Sequence, residues 1–189
     1  MSGTAQDLLQ RHRLTISDYH LMGEAGILHE DSRVELIEGE LIDMAPIGSQ
    51  HAGTVFHLSS LLNLAIGSAA FVWVQNPIIL DKHSEPEPDI ALLRPRSDFY
   101  KSSHPRPDDV LLIIEVADSS LQYDRHIKIP LYARHGIPEV WLVDLVNKTL
   151  TLFRTPSEHG YQEIMTSSPL GALSPKLLSA VSLDLSDLF

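Results

Sequence analysis

The chain of 189 residues has no cysteine. That absence removes disulfides, thiolate metal sites and cysteine nucleophiles together, and it fits a reducing cytoplasm. Long hydrophobic runs are missing as well. Strongly apolar stretches such as Val110 to Ile114 are far too short to span a bilayer, and Met1 to Leu21 lacks the apolar core of a signal peptide. A soluble cytoplasmic protein with no membrane contact is the expectation. Positive charge is scarce: 14 Lys and Arg stand against 25 Asp and Glu, a formal net charge of −11. Counterion release rewards a basic face on a nucleic-acid binder, so this balance argues against tight, non-specific DNA binding. A local basic patch, or metal ions held among clustered carboxylates, would reverse the sign locally. There is no internal repeat, coiled coil or low-complexity tract, no phosphate-binding or dinucleotide glycine fingerprint, and no H-E-x-x-H zinc pattern.

What remains is an ordinary globular composition, 43% apolar and 21% charged. Its length suits a single domain over residues 1–189. Thr15 to Ala25 reads as a short helix, capped by Thr15 or Ser17 and ended by Gly26. Arg33 to Met44 partly alternates around a central Glu38-Gly39, a hairpin pattern. From His51 to Ile66 the period turns helical, with Val55, Leu58, Leu62 and Ala65 on one face and Gly67 as the stop.

Phe71 to Leu80 reads as a strand, and Pro86 and Pro88 punctuate a turn before a short strand from Asp89 to Leu93. Arg94 to Asp109 holds three prolines and reads as an exposed loop. Val110 to Val116 is nearly all aliphatic, as a central strand buried on both faces would be. A helix capped by Ser119 or Ser120 should run to about Arg134, with Gly136 and Pro138 ending it. Val140–Asp144, Thr149–Arg154 and Tyr161–Thr166 follow as strands, the last two as a hairpin or meander. Leu177 to Phe189 reads as a short helix and an edge segment. The order α-β-β-α-β-β-β-α-β-β-β gives an α/β or α+β class with one central sheet.

A buried strand ending in a carboxylate is the first anomaly. Glu115 follows the aliphatic residues Leu111 to Ile114, and an unpartnered ionised carboxylate is very costly to bury. It must lie near the strand's end or meet a cation. Asp89 opens a second short strand after Pro88. If the two strands are neighbours, two hard oxygen donors converge in the manner that suits Mg²⁺ or Mn²⁺. The alternative is a pair of ordinary strand-end charges facing water. Lys128, on the following helix, could lean over the pair and stabilise charge on a transferring phosphoryl group. It also stands four residues after Asp124, the favourable order for a plain surface pair.

Longer blocks bear on this choice. Val34-Glu35-Leu36-Ile37-Glu38-Gly39-Glu40, Pro86-Glu87-Pro88-Asp89-Ile90 and Ile114-Glu115-Val116-Ala117-Asp118-Ser119-Ser120 occur in that order. Then come Tyr123-Asp124-Arg125-His126-Ile127-Lys128-Ile129-Pro130-Leu131-Tyr132-Ala133 and Gly136-Ile137-Pro138-Glu139-Val140-Trp141-Leu142-Val143-Asp144. Together these blocks, spanning roughly Leu14 to Phe153, resemble the Uma-two family of restriction endonucleases within the PD-(D/E)XK nuclease superfamily. The resemblance implies a restriction-endonuclease-like core, a mixed central sheet flanked by helices with the site at one sheet edge. It implies metal-dependent hydrolysis of DNA phosphodiesters. Asp89, Glu115 and the Val116 carbonyl would hold one or two Mg²⁺ or Mn²⁺ ions, and Lys128 would support the nucleophile or the developing charge.

The superfamily's lysine normally stands two residues after the glutamate. Here that position is Ala117, and the small residue leaves room on the strand face for Lys128 to reach across. Glu35 matches the glutamate of the family's first motif, as an added metal or water ligand; otherwise it is a solvated hairpin residue. His51 points inward at a helix start, where phosphate binds well, and could contact the scissile phosphate or a metal-bound water; otherwise it is a core-edge histidine bonded to backbone. A homodimer is expected, since duplex cleavage needs two cuts, with the apolar tail Leu177 to Phe189 one candidate surface. The rival reading is a non-catalytic protein-interaction module on the same fold.

Overall fold

The computed structural model describes residues 11–29 and 31–189. The first ten residues of the Met1–Leu21 stretch lie outside the described residues. Helix α1 (Ile16–Glu24) starts at Thr15 through a capping box. The Thr15 hydroxyl accepts from the Asp18 N–H, while the Asp18 carboxylate accepts from the Thr15 N–H. Of the two candidate caps, Thr15 is therefore the one used. Strands β1 (Val34–Ile37) and β2 (Glu40–Asp43) pair as the expected hairpin. Glu38 and Gly39 both take positive φ, 50° and 85°, as a two-residue turn of this twist requires. A Cβ on Gly39 would fall 2.6 Å from the Arg13 Cβ, so the position needs glycine.

Helix α2 (Ser49–Ile66) buries Thr54, Val55, Leu58, Leu62 and Ile66. Ala65, expected on that face, is exposed; Ile66, one turn after Leu62, takes its place. Strand β3 (Phe71–Val74) is shorter than the expected Phe71–Leu80. Gln75 turns to φ 47° and gives its N–H to the Asp89 carbonyl, which ends the ladder. Ile78 and Leu80 are still buried, but from a loop. Their apolar character reports core contact and not strand pairing.

Strands β4 (Ile90–Leu93), β5 (Val110–Ala117), β6 (Glu139–Asp144), β7 (Thr149–Ser157) and β8 (Gly160–Ser167) complete a six-stranded sheet of order β3-β4-β5-β6-β7-β8. β5 and β6 are parallel, and every other neighbouring pair is antiparallel. The parallel pair needs a crossover. It is supplied by one continuous helical segment: α3 (Leu121–Tyr123), a π-helical turn (Asp124–Lys128) and α4 (Ile129–Arg134). Ser120 does not cap this helix, because its hydroxyl donates to Asp124 instead.

All eight residues of β5 are buried, as expected of a strand covered on both faces. Leu112, Ile114 and Val116 meet α2 and the C-terminal tail, while Ile113 and Ala117 meet α4. The tail forms a 3₁₀ turn (Lys176–Leu178) and strand β10 (Leu183–Asp184), which pairs with β9 (Ala172–Leu173). Val181, Leu183, Leu185 and Leu188 are buried in the core. Most of the tail's apolar side is thus used within the chain, and only Leu177 and Phe189 of its large apolar residues are exposed. The architecture is a mixed α+β fold with a six-stranded mixed sheet flanked by helices. No helix among the described residues is long and apolar enough to cross a membrane.

Candidate active site

Antiparallel pairing of β4 with β5 sets Ile90 opposite Ile114. Asp89, one residue before, and Glu115, one residue after, therefore fall side by side at one end of the sheet. The Asp89 N–H points at Glu115 Oε2 from 3.4 Å, and the Val116 N–H donates to Asp89 Oδ2 at 2.9 Å. A strand residue's N–H and C=O leave the same edge. The Val116 carbonyl thus also faces the Asp89 side, whereas the Ala117 carbonyl turns the other way and accepts from the Leu145 N–H.

The crossover helix brings the cation. Pro130 lies inside it, has no N–H to give, and its ring would press on the carbonyl one turn back. The π turn before it relieves that clash, with the Ile129 N–H reaching the Asp124 carbonyl. Ser120, Asp124, Lys128 and Tyr132 recur every fourth residue along the segment. Lys128 is 5% exposed. Its Nζ stands 2.9 Å from Glu115 Oε1 and 3.5 Å from Glu35 Oε2, and it approaches the Glu87 carbonyl at 3.4 Å. Asp124 is buried too and accepts the Ser120 hydroxyl at 2.6 Å. The surface-pair alternative for Asp124 and Lys128 therefore does not hold: both are inside, and the lysine is spent on Glu115.

Glu35 is 2% exposed on β1, so the solvated-hairpin alternative fails as well. Its carboxylate accepts from the Tyr123 hydroxyl at 3.1 Å and from the Glu87 N–H at 3.1 Å. His51, in the first turn of α2, sets Nε2 3.1 Å from the Asp89 carboxylate, a partner that is side chain and not backbone. Its Nδ1 is buried with no hydrogen-bond partner among the described residues. The structure thus brings Asp89, Glu115, Lys128, Glu35 and His51 to one cleft. Sequence reasoning passed over Tyr132, whose hydroxyl donates to Glu115 Oε1 at 2.6 Å, and over Tyr123 and Glu87. The four-residue spacing from Ser120 to Tyr132 was the available signal.

These groups line a cleft of about 280 Å³. Asp43, Glu87 and Asp118 add to its negative charge, and Arg33 and Lys128 are its only Lys or Arg among the described residues. Burial pushes Glu115 up to about 8, against the pull of the Lys128 ammonium and the Tyr132 hydroxyl. Burial also raises Glu87, with Glu35 adding to it, and raises Asp124. The hydrogen bond to Asp89 raises His51, opposed by its burial. The surrounding carboxylates hold Lys128 well above its ordinary value, despite burial that acts the other way.

A cation fits this chemistry. Each carboxylate oxygen can accept about twice. Glu115 Oε1 already takes Tyr132 and Lys128, while Oε2 has only the long contact from the Asp89 N–H. Oε2 and the Asp89 carboxylate are hard donors at the cleft, and the Val116 carbonyl leaves β5 on the Asp89 side. Among the described residues no group of three or more His, Asp or Glu is placed to hold a metal ion. Mg²⁺ does not need one, since it is commonly held by one or two carboxylates with the rest of its shell water.

The chain matches the model of the Uma2 family, described as "Putative restriction endonuclease", over residues 16–186. It belongs to that family. Among solved structures it is similar to a protein of Anabaena variabilis ATCC 29413, described as "a putative nuclease belonging to DUF820". Identity is 19%, the TM-score is 0.71, and the match covers 93% of this chain and 97% of that one. That likeness is one of fold. No curated protein matches the chain.

Proposed function

We propose that this protein is a metal-dependent DNA endonuclease working at the Asp89–Glu115 cleft, within a single nuclease domain. The observation that carries the reading is the lysine. A buried ammonium drawn to Glu115 from the helix after the strand, opposite the small Ala117, is the arrangement a displaced nuclease lysine needs. Asp89, Glu115 and the Val116 carbonyl would hold Mg²⁺ or Mn²⁺. Such an ion supplies Lewis-acid charge and lowers the pKa of a water.

The protein's own groups do the rest. His51 would hold the Asp89 carboxylate and act through it, a positioning role. Glu35 gives Lys128 a second carboxylate partner, at 3.5 Å. Lys128 would stabilise charge growing on a phosphoryl oxygen. Gly48 gives α2 no side-chain cap, and its first turn borders the cleft, so free N–H groups are available to a phosphate. One such site cuts one strand, so duplex cleavage calls for a twofold dimer.

The test is Mn²⁺- or Mg²⁺-dependent nicking of plasmid DNA by the purified protein, with Glu115→Gln as the blank. The net charge of −11 favours a second reading, a non-catalytic interaction module. That reading becomes the better one if neither DNA nor RNA is cut with either ion and Mn²⁺ binding is absent. Light scattering that finds only monomer would remove the dimer.

A further inference from the structure

Two donors meet on one oxygen of Glu115. The Tyr132 hydroxyl reaches Oε1 at 2.6 Å and Lys128 Nζ at 2.9 Å, which fills that oxygen's lone pairs. Oε2 has only the 3.4 Å contact from the Asp89 N–H, which leaves it room for a further partner. The two donors differ in what they can hold still. Tyr132 is fully buried, within the same apolar cluster as Ile129, Ala133 and Leu142 on the face of the sheet that α4 covers. A ring turning on two torsions in a filled slot cannot follow a carboxylate that rotates. Lysine's four-carbon stem can.

From this we infer that Tyr132 is a positioning residue that makes Glu115 a one-oxygen ligand and so favours Mg²⁺ or Mn²⁺ over Ca²⁺. The inference rests on the metal-site reading above. Small ions of this kind keep six-fold geometry and take carboxylates through single oxygens, whereas Ca²⁺ accepts six to eight oxygens and readily takes a carboxylate by both. A glutamate whose second oxygen is occupied by a fixed phenol suits the first class. A glutamate free to turn and offer both oxygens suits the second. The role is distinct from that of Lys128, which brings charge, and from that of Asp89, which brings a second ligand. Groups that orient a ligand in this way change metal affinity by roughly 10- to 100-fold when removed.

The experiment is calorimetric titration of the full chain with Mn²⁺ and, separately, Ca²⁺, for the parent, Tyr132→Phe and Glu115→Gln. Circular dichroism and thermal melting report the fold of each. Tyr132→Phe should weaken Mn²⁺ by about 10-fold and leave Ca²⁺ nearly unchanged or tighter, so the Mn²⁺:Ca²⁺ preference falls. A folded Tyr132→Phe with both affinities unchanged, or both weakened equally, overturns the inference and leaves the metal site standing. A parent that binds neither ion, indistinguishable from Glu115→Gln, overturns the metal-site reading and this inference with it. If Tyr132→Phe does not fold, Lys128→Met carries the test. With Tyr132 still in place its Mn²⁺:Ca²⁺ preference should match the parent's, whatever happens to the two affinities. A preference lost in Lys128→Met assigns the control to the lysine and overturns the role given to Tyr132.

Discussion

Glu115 and Glu139 are both buried glutamates, on the two parallel strands at the centre of the sheet, with Glu115 opposite Leu142, three rows further along β6 than Glu139. Glu139, at the start of β6, has every oxygen taken. Oε1 accepts from Trp141 Nε1 at 2.9 Å and from Arg154 at 2.6 and 2.7 Å, and Oε2 accepts from the Lys176 N–H at 2.6 Å. It ties β6 to β7 and to the C-terminal segment, and it does not line the cleft. Glu115, shortly before β5 ends at Ala117, has one filled oxygen and one that is nearly free, and it opens on a cleft rich in other carboxylates. Burial alone therefore does not mark a functional carboxylate. On the proposed reading the donors separate the two: Glu139, held by short bonds on both oxygens, would be a structural joint, and Glu115, short of donors on Oε2, a metal ligand.

The sharpest break of this comparison is in activity. Glu115→Gln should reduce metal-dependent cleavage to background in a plasmid-nicking assay, while its melting temperature stays near the parent's. Lys128 keeps Glu35 as a partner, and the crowding of negative charge against Asp89 and Asp124 is eased. A variant that still cuts DNA would show that the chemistry is elsewhere. The next largest effect is in stability, at Glu139. Glu139→Ala leaves the mostly buried Arg154 guanidinium without its carboxylate, a loss of about 3–5 kcal/mol. For a chain of this size that lowers the melting temperature by roughly 10 °C. Mn²⁺ affinity, read by calorimetry below the transition, should not move. A large change in affinity would mean that the two glutamates are coupled, against the division drawn here.

Asp124 gives a smaller and more pointed test. Exposed, an i, i+4 partner of Lys128 would be worth about 0.3–0.5 kcal/mol. Buried, and accepting the Ser120 hydroxyl, it should cost about 1–3 kcal/mol when replaced by alanine, because a partly buried donor loses its acceptor. Urea denaturation of Asp124→Ala separates the two values.

Asp124 also shows where sequence reasoning reaches its limit. The order of elements, the Glu38-Gly39 turn and the doubly buried β5 were all legible, because apolar period and turn chemistry are local properties. The neighbouring Asp89 and Glu115 were legible as strand-end acids, and the pairing of β4 with β5 brought them together. Which face of the crossover helix turns inward was not legible. Its inward stripe of Ser120, Asp124, Lys128 and Tyr132 is mostly polar, so no hydrophobic period announces it, and an acid–base pair at that spacing looks like surface. Pro130, read as part of a family block, was the overlooked mark of the π turn. The tail was hard to read for the opposite reason. Its apolar residues signal a face that must be covered, and local sequence does not say that Val181, Leu183, Leu185 and Leu188 are covered by the chain's own core while Leu177 and Phe189 stay exposed.

The smallest expected effect belongs to the surroundings of Glu139 and depends on pH. Tyr161 packs against Phe153 beside the Glu139 joint, and its hydroxyl donates to the Ile137 carbonyl at 2.8 Å. Burial holds its proton well above the ordinary tyrosine range, and the negative charge of Glu139 adds to that. A folded-state pKa above the unfolded value of about 10 means that the stabilisation is complete below pH 10 and is lost as pH rises beyond it. The unfolded chain gives up the proton while the folded chain keeps it. One such group contributes a slope of at most about 1.4 kcal/mol per pH unit. Tyr161→Phe should cost about 1 kcal/mol at pH 9 through the lost hydrogen bond, and its stability should then fall less steeply than the parent's between pH 10 and 11. Urea midpoints of the metal-free protein at those pH values measure this. Tyr123 and Tyr132, raised by burial, steepen the alkaline fall of both proteins alike, so the difference between the two curves isolates Tyr161. Parallel curves would mean that Tyr161 ionises as readily folded as unfolded, and the joint around Glu139 would then be more open to water than its geometry indicates.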